Sequence, residues 1–186
     1  MHITDLDPAD SRAIQQAATI LVAGFRGFSW PDLESALAEI HKALESGKIC
    51  RAAYADDRTM LGWIGGIPQY DGNVWELHPL VVAPEYQGQG IGRALVSDFE
   101  AQVRMRNGIT IVLGSDDIDS TTTLSGIDLY PDVWRHVQTV RNLRGHPYSF
   151  YEKCGFVITG VVPDANGFGK PDILMAKRVY HEARNL

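Results

Sequence analysis

Two stretches of this 186-residue chain have residue types and spacings that could do chemistry. The first is Trp75-Glu76-Leu77-His78-Pro79-Leu80-Val81-Val82, whose period-two alternation reads as a strand with Glu76, His78, Leu80 and Val82 on one face. There Glu76 can bind an ammonium group and accept its proton, directly or through water. The plainer alternative is an exposed charge or an ion-pair partner. His78 reads as a residue that orients substrate or neighbouring groups, with catalysis as the lesser reading and a structural histidine as the plain alternative. Pro79 has no N–H and is disfavoured inside a regular ladder, so it points to a bulge or a locally opened strand that leaves backbone donors free.

The second stretch, Gln87-Gly88-Gln89-Gly90-Ile91-Gly92-Arg93, joins that strand to an amphipathic helix. Glycines let backbone approach a ligand closely, and the N–H groups of a helix's first turn attract anions. Phosphate is the natural occupant, and Arg93 can add a charge-assisted contact. A Walker A loop would end in Gly-Lys-Ser/Thr, whereas this one has Gly92-Arg93-Ala94. A dinucleotide fingerprint needs G-x-G-x-x-G tight against a strand, but Gly88, Gly90 and Gly92 give G-x-G-x-G behind a five-residue spacer, so Asp116 as a ribose ligand is a weak option.

Other candidates lie further out. Asp116, Asp117, Asp119, Asp128 and Asp132 fall in a stretch, 107–134, without Lys or Arg. A solvated surface is the ordinary reading of such a run; here Asp116, Asp117 and Asp119 are candidates to attract a cation. Trp30 and Tyr70 could present flat walls to a ligand or simply pack. Tyr148, Phe150 and Tyr151 form an aromatic cluster of the kind that packs a core, yet the Tyr151 phenol could also donate a proton.

The elements that must position these groups follow from periodicity. An extended start at His2–Thr4 precedes a helix over Asp10–Phe25, then a second helix capped by Ser29, with Pro31 in its first turn and Gly47 at its end. Ile49–Ala55 and Met60–Pro68 suggest a hairpin, followed by the strand Trp75–Val82, a helix over Gly90–Arg106 and a strand at Ile109–Leu113. After the polar loop come helices at Asp132–Arg141 and Pro147–Cys154 and strands at Phe156–Val162 and Asp172–Tyr180. Hairpins mixed with helical crossovers predict an α/β protein of the α+β type, a mixed, largely antiparallel sheet flanked by helices. No linker or repeat divides the chain, so residues 1–186 read as a single domain.

Composition sets the outer bounds. With 45% hydrophobic and 22% charged residues the chain is that of a soluble globular protein. The net charge of −6 is uneven: residues 59–134 carry three Arg against ten Asp and Glu, and residues 135–186 carry eight Lys and Arg against four Asp and Glu. An acidic middle argues against nucleic acid and for a cationic partner. Two cysteines cannot supply a disulfide framework or a four-ligand zinc site, so no metal is expected. Neither a signal peptide nor an apolar run of about 20 residues is present, so a cytoplasmic protein without membrane association is expected.

Gln87-x-x-Gly90-x-Gly92 after Leu80-Val81-Val82 resembles the pyrophosphate loop of the GNAT superfamily of N-acetyltransferases. Further segments are similar to the homodimeric branch of aminoglycoside 6′-N-acetyltransferases: Trp75 through Val82, Leu113 through Asp117, Thr122-Thr123-Leu124-Ser125, His146-Pro147-Tyr148 and Phe150-Tyr151-Glu152-Lys153. The resemblance implies the GNAT fold, a homodimer, acetyl-CoA as cosubstrate and acetyl transfer to the 6′-amine of an aminoglycoside. It assigns cofactor contacts to Leu80, Val81, Val82, Gln87, Gly88, Gln89, Gly90, Ile91, Gly92 and Arg93. Glu76 becomes the base, the Leu80 backbone N–H the donor to the thioester oxygen, Tyr151 the general acid, and Trp30, Tyr70, Glu76, His78, Asp116, Asp117 and Asp119 the amine pocket, with His78 also near the chemistry. A ping-pong route through Cys154 is the lesser option; direct attack in a ternary complex is the expectation. Another amine as acceptor, or a coenzyme A-binding module without catalysis, are the alternatives.

Overall fold

The first helix begins where Asp10 accepts hydrogen bonds from the Arg12 and Ala13 amides, both at 3.0 Å, satisfying two of the donors that a helix start leaves open. In the computed structural model, which describes residues 1–25 and 29–180, this element is α1 (Ser11–Gly24). Two compact units are present, one holding Met1–Ile109 with the chain from Val179, the other Thr110–Arg178.

The first unit also contains β1 (His2–Asp5), α2 (Leu33–Ala43), β2 (Ile49–Tyr54), β3 (Met60–Gln69), β4 (Val74–Val82) and α3 (Ile91–Met105). Its strands pair antiparallel in the order β1-β2-β3-β4. The start of α2 corrects the sequence expectation. Asp32, not Ser29, is its cap, because Asp32 and Ser35 form a reciprocal capping box; Pro31 therefore lies outside the helix, and the helix ends at Leu44 rather than Gly47. One side of the sheet packs on α1 and α2: Trp63 is buried there and donates its indole N–H to the Ala17 carbonyl at 3.1 Å. Across the sheet, Gly66 has no room for a side chain because the Phe99 ring of α3 occupies that space.

A bulge in β4 corrects the expected alternation. Ile64 pairs with Leu80 and Gly66 with Leu77, so His78 and Pro79 together stand opposite the single residue Gly65. Directly paired residues share a face. Leu77, paired with Gly66, therefore lies on the α3 side, and Val81, paired with Trp63, lies on the side of α1 and α2. Glu76 and His78 share the face of Val81, whereas Leu80 and Val82 turn to the other face. Pro79 carries the bulge expected of it, and that bulge is what breaks the period-two pattern.

The second unit holds β5 (Thr110–Asp116), α4 (Val133–Gln138), α5 (Tyr148–Lys153), β6 (Val157–Val162) and β7 (Asp172–Arg178). β7 lies between β5 and β6, antiparallel to both. β5 runs three residues beyond the expected Leu113 because Gly114, Ser115 and Asp116 stay paired with Leu174, Ile173 and Asp172. The two helices are shorter than predicted, and Asp132 caps α4 through the Arg135 amide. Ile111, Leu113, Leu124, Leu129, Tyr148, Phe156, Ile173 and Met175 form the buried apolar set. Largely antiparallel strands with flanking helices give the α+β arrangement the sequence predicts.

Candidate active site

The loop after β4 is built to leave donors open. Gly88 and Gly90 have φ of 75° and 86°, a left-handed backbone that favours glycine, and open space lies where either would carry a side chain. Gly90 is the N-cap of α3 and no side chain caps the helix, so the first-turn N–H groups of Ile91, Gly92 and Arg93 lack the usual side-chain partner. Gln87, Gly88, Gln89 and Arg93 are exposed, while Ile91 is buried and anchors the turn. The Gln87 side-chain amide donates to the Val82 carbonyl at 3.1 Å, tying the loop to the strand end. Exposed glycines, an uncapped helix start and a first-turn guanidinium fit a diphosphate group.

Further up β4, Gln69 on β3 donates to Glu76 Oε2 at 2.6 Å, so one carboxylate oxygen is held and the group is half-buried. His78 is the next residue on that face. Its ring centroid is 5.9 Å from that of Trp30, and Trp30 itself is buried and meets Phe25 edge-on at 4.7 Å. Tyr70, in the turn between β3 and β4, is 75% exposed. Leu80 and Val82 are half-buried, and the Val81 side chain belongs to the core cluster of the α1 and α2 face.

The sequence reading missed Glu39. This α2 carboxylate lies 3.6 Å from His78 Nε2 and 3.8 Å from Lys42 Nζ. The His78 imidazole beside it, partly opposed by burial and aided by the Lys42 charge and the Trp30 indole, holds its pKa below the ordinary glutamate value. The available signal was helical phase: Glu39 follows Ala36 by three and precedes Ile40 by one, and both are fully buried. Gly65 was also missed; a side chain there would collide with the His78 carbonyl, so the bulge requires glycine opposite it.

In the second unit the acidic stretch separates into different roles. Asp117 is fully buried, and its carboxylate accepts from the backbone and hydroxyl of Thr121, the backbone and hydroxyl of Thr122, and the Ser125 hydroxyl, at 2.6 to 2.9 Å. Burial alone would raise its pKa; those five bonds outweigh that and bring it down to about 2. Asp117 is thus corrected from a substrate-facing carboxylate to the organiser of the loop. Asp116, at the end of β5, accepts from the Asn166 side-chain amide. The backbone carbonyls of Asp119 and Ser120 accept from Arg144 at 3.2 and 2.7 Å, which brings a guanidinium to a loop that has no cation in its own sequence.

His146 packs beneath the same loop with both ring nitrogens used. Nε2 lies 3.1 Å from the Asp116 carbonyl and Nδ1 accepts from the Tyr148 amide at 3.1 Å, an arrangement that suits the neutral ring. Burial lowers its pKa against the opposing charges of Asp117 and Asp116. Tyr151, in α5, sits edge-on between Phe150 and Phe156, and burial pushes its phenol pKa up.

A bulged strand feeding a glycine loop and an uncapped helix, with a carboxylate and an imidazole on the same strand, sets a phosphate-binding turn beside groups able to handle an amine. The chain belongs to the acetyltransferase (GNAT) family, whose model matches residues 14–130. It is 42% identical to an aminoglycoside 6′-N-acetyltransferase whose crystal structure contains coenzyme A, over 98% of this chain and 99% of that one, with a TM-score of 0.90. The aminoglycoside 6′-N-acetyltransferase from Enterococcus faecium is 43% identical over the same shares, with a TM-score of 0.88. Aminoglycoside 6′-acetyltransferase type Ii is 36% identical over 98% of this chain and 99% of that one, with a TM-score of 0.77. No curated protein matches the sequence. Among the described residues no cluster could hold a metal ion, and no helix is long and apolar enough to cross a membrane.

Proposed function

We propose that the protein transfers the acetyl group of acetyl-CoA to the 6′-amine of aminoglycosides. The observation that carries this reading is the 42% identity, over nearly the whole of both chains, with an aminoglycoside 6′-N-acetyltransferase bound to coenzyme A. The backbone from Gln87 to Arg93 holds the diphosphate, with Leu80, Val81 and Val82 beside it. When bound, acetyl-CoA supplies a thioester carbonyl for attack by the amine nitrogen; the C–N bond forms, the C–S bond breaks and the thiolate leaves. Glu76 takes the proton that the amine must lose. The Leu80 backbone N–H, just past the bulge, serves the carbonyl oxygen, and Tyr151 protonates the thiolate. Trp30, Tyr70, His78, Asp116 and Asp119 serve the cationic substrate, and attack is direct.

A homodimer accords with the exposed aromatic surface of the second unit, where Tyr130 and Trp134 are each 67% exposed and Phe168 is 86% exposed. Light scattering reads that state directly. The function is tested by following thiol release from acetyl-CoA with kanamycin-type aminoglycosides, polyamines and lysine peptides, and by locating the acetyl group in the product by NMR. Acetylation at the 6′-nitrogen is the expected result. Release with polyamines or peptides alone would transfer the activity to another amine, and release with none would leave coenzyme A binding without catalysis.

A further inference from the structure

The face of β4 that carries Glu76 also carries His78, and α2 places a carboxylate beside that histidine. Glu39 is drawn inward because its neighbours in helical phase, Ala36 and Ile40, are fully buried; its side chain is only 15% exposed. A carboxylate so enclosed needs partners. Of its two ion-pair neighbours, Lys42 has a 64% exposed side chain and therefore holds it weakly, while His78 Nε2, at 3.6 Å, is the nearer. The indole of Trp30 lies beside the imidazole, with the ring centroids 5.9 Å apart.

We propose that Glu39 is a positioning residue of the amine site, holding the His78 N–H at Nε2 so that Nδ1 stands as a hydrogen-bond acceptor for a protonated amine. A carboxylate can only accept, so the nitrogen facing it carries the proton; a neutral imidazole has one N–H, so the other nitrogen is left with its lone pair. The His78 contact at 3.6 Å also holds the Glu39 pKa down, which sustains the arrangement. An ammonium group has donors and no acceptor, and this face then offers it two acceptors, the Glu76 carboxylate and His78 Nδ1, on alternate residues of one strand. The inference rests on the amine-acetylating reading above, and it adds a residue on α2 that touches no substrate and acts through another side chain.

The test pairs kinetics with a spectroscopic readout that needs no turnover. In proton NMR of the unliganded protein, the His78 Nε2–H bonded to a carboxylate gives a downfield imidazole resonance, absent in H78A and lost or shifted upfield in E39A. In kinetics with kanamycin, E39A raises the amine KM about fivefold to tenfold, the scale of one hydrogen bond to a charged group, while kcat and the KM for acetyl-CoA stay within about twofold. E39Q, which keeps an acceptor oxygen in the same shape, recovers most of the loss and covers the case of a misfolded E39A. In the H78A background, E39A costs less than about twofold, and K42A leaves both readouts unchanged. An equal cost of E39A with and without His78, a K42A effect matching that of E39A, or an unchanged resonance in E39A overturns the proposal. If the wild-type protein acetylates no amine, the functional reading fails, and the resonance alone then decides whether Glu39 holds His78.

Discussion

Leu77 and Leu80 lie on the same face of the first unit's sheet although they are three positions apart, an odd spacing that would put them on opposite faces of a regular strand. The inserted residue at His78-Pro79 accounts for it. Upstream of the bulge the even-numbered side chains of β4, Glu76 and His78, face α1 and α2; downstream of it Val81 does. The strand thus presents its polar groups on one face and, within three residues, turns Leu80 and Val82 to the other as the chain enters the glycine loop.

Gly65 is the residue that permits this. An added methyl group would collide with the His78 carbonyl, which is backbone and cannot rotate away. G65A is expected to destabilise the fold by about 1–3 kcal/mol, the usual range for overpacking, which lowers Tm by roughly 2–4 °C per kcal/mol in a chain of this size. It should also lower kcat/KM, because relief of the clash shifts His78. Thermal unfolding beside kinetics checks both; a variant with wild-type Tm would mean that the bulge yields freely.

Asp117 makes the acid side of the stability profile. Its folded pKa of about 2 lies below the ordinary 3.8, so its contribution is fully present above pH 3.8 and is lost as pH falls toward 2. The shift corresponds to about 2 kcal/mol. His146, whose folded pKa is lowered, works earlier: below the ordinary 6.5 the unfolded chain binds the proton first, so stability begins to fall there. Urea unfolding between pH 7 and 3 should show a decline from both groups, with the steepest part below pH 4 absent in D117N. A D117N variant as stable as wild type at pH 7 would remove the loop-organising role.

The relation between sequence and structure turns on the same residues. Strand and helix identities follow from periodicity, and the loop from Gln87 to Arg93 is legible because glycine spacing is a backbone property written directly in residue types. Pro79 announced a bulge, yet the face assignment for Leu80 and Val82 assumed a regular strand; a local irregularity inverts every side chain beyond it, and periodicity carries no memory of that. Asp117 reads like its neighbours in sequence, and only the return of Thr121, Thr122 and Ser125 to its carboxylate distinguishes it. Glu39 and Arg144 act across sequence separations of 39 and about 25 residues, from elements whose placement no local pattern encodes.

Glu76 is the group whose loss should cut deepest into proton removal from the amine. E76Q keeps the shape and the partner Gln69 but cannot accept a proton, so kcat/KM for the aminoglycoside should fall about 10²-fold or more, with the acetyl-CoA KM nearly unchanged. The deficit should shrink at alkaline pH, where more of the free amine is already neutral. Steady-state rates from pH 6 to 9 check this; a constant ratio of variant to wild type would assign Glu76 to binding alone.

Electrostatic attraction predicts a salt dependence graded by substrate charge. If the exposed carboxylates Asp116 and Asp119 serve the approach of a polycation, Arg144 beside Asp119 and Ser120 moderates the local field. The KM of a multiply charged aminoglycoside should rise between 50 and 500 mM salt, by about threefold to tenfold, while that of a singly charged amine changes little. Equal responses for both substrates would count against a carboxylate-lined approach. R144A should steepen the dependence, since it removes the opposing charge.

Tyr151 offers the sharpest separation between packing and chemistry. Set between Phe150 and Phe156, with burial raising its pKa above the ordinary 10, the phenol stays protonated through the range in which a free tyrosine begins to ionise. Y151F keeps the ring and both edge-on contacts and removes only the hydroxyl, so the fold should hold within about 1 kcal/mol. If the hydroxyl protonates the leaving thiolate, kcat falls about tenfold to a hundredfold with little change in either KM, and the wild-type kcat stays level as pH rises to 9. Single-turnover measurements with acetyl-CoA isolate this step from product release. Full turnover in a correctly folded Y151F would return Tyr151 to the aromatic cluster as packing alone.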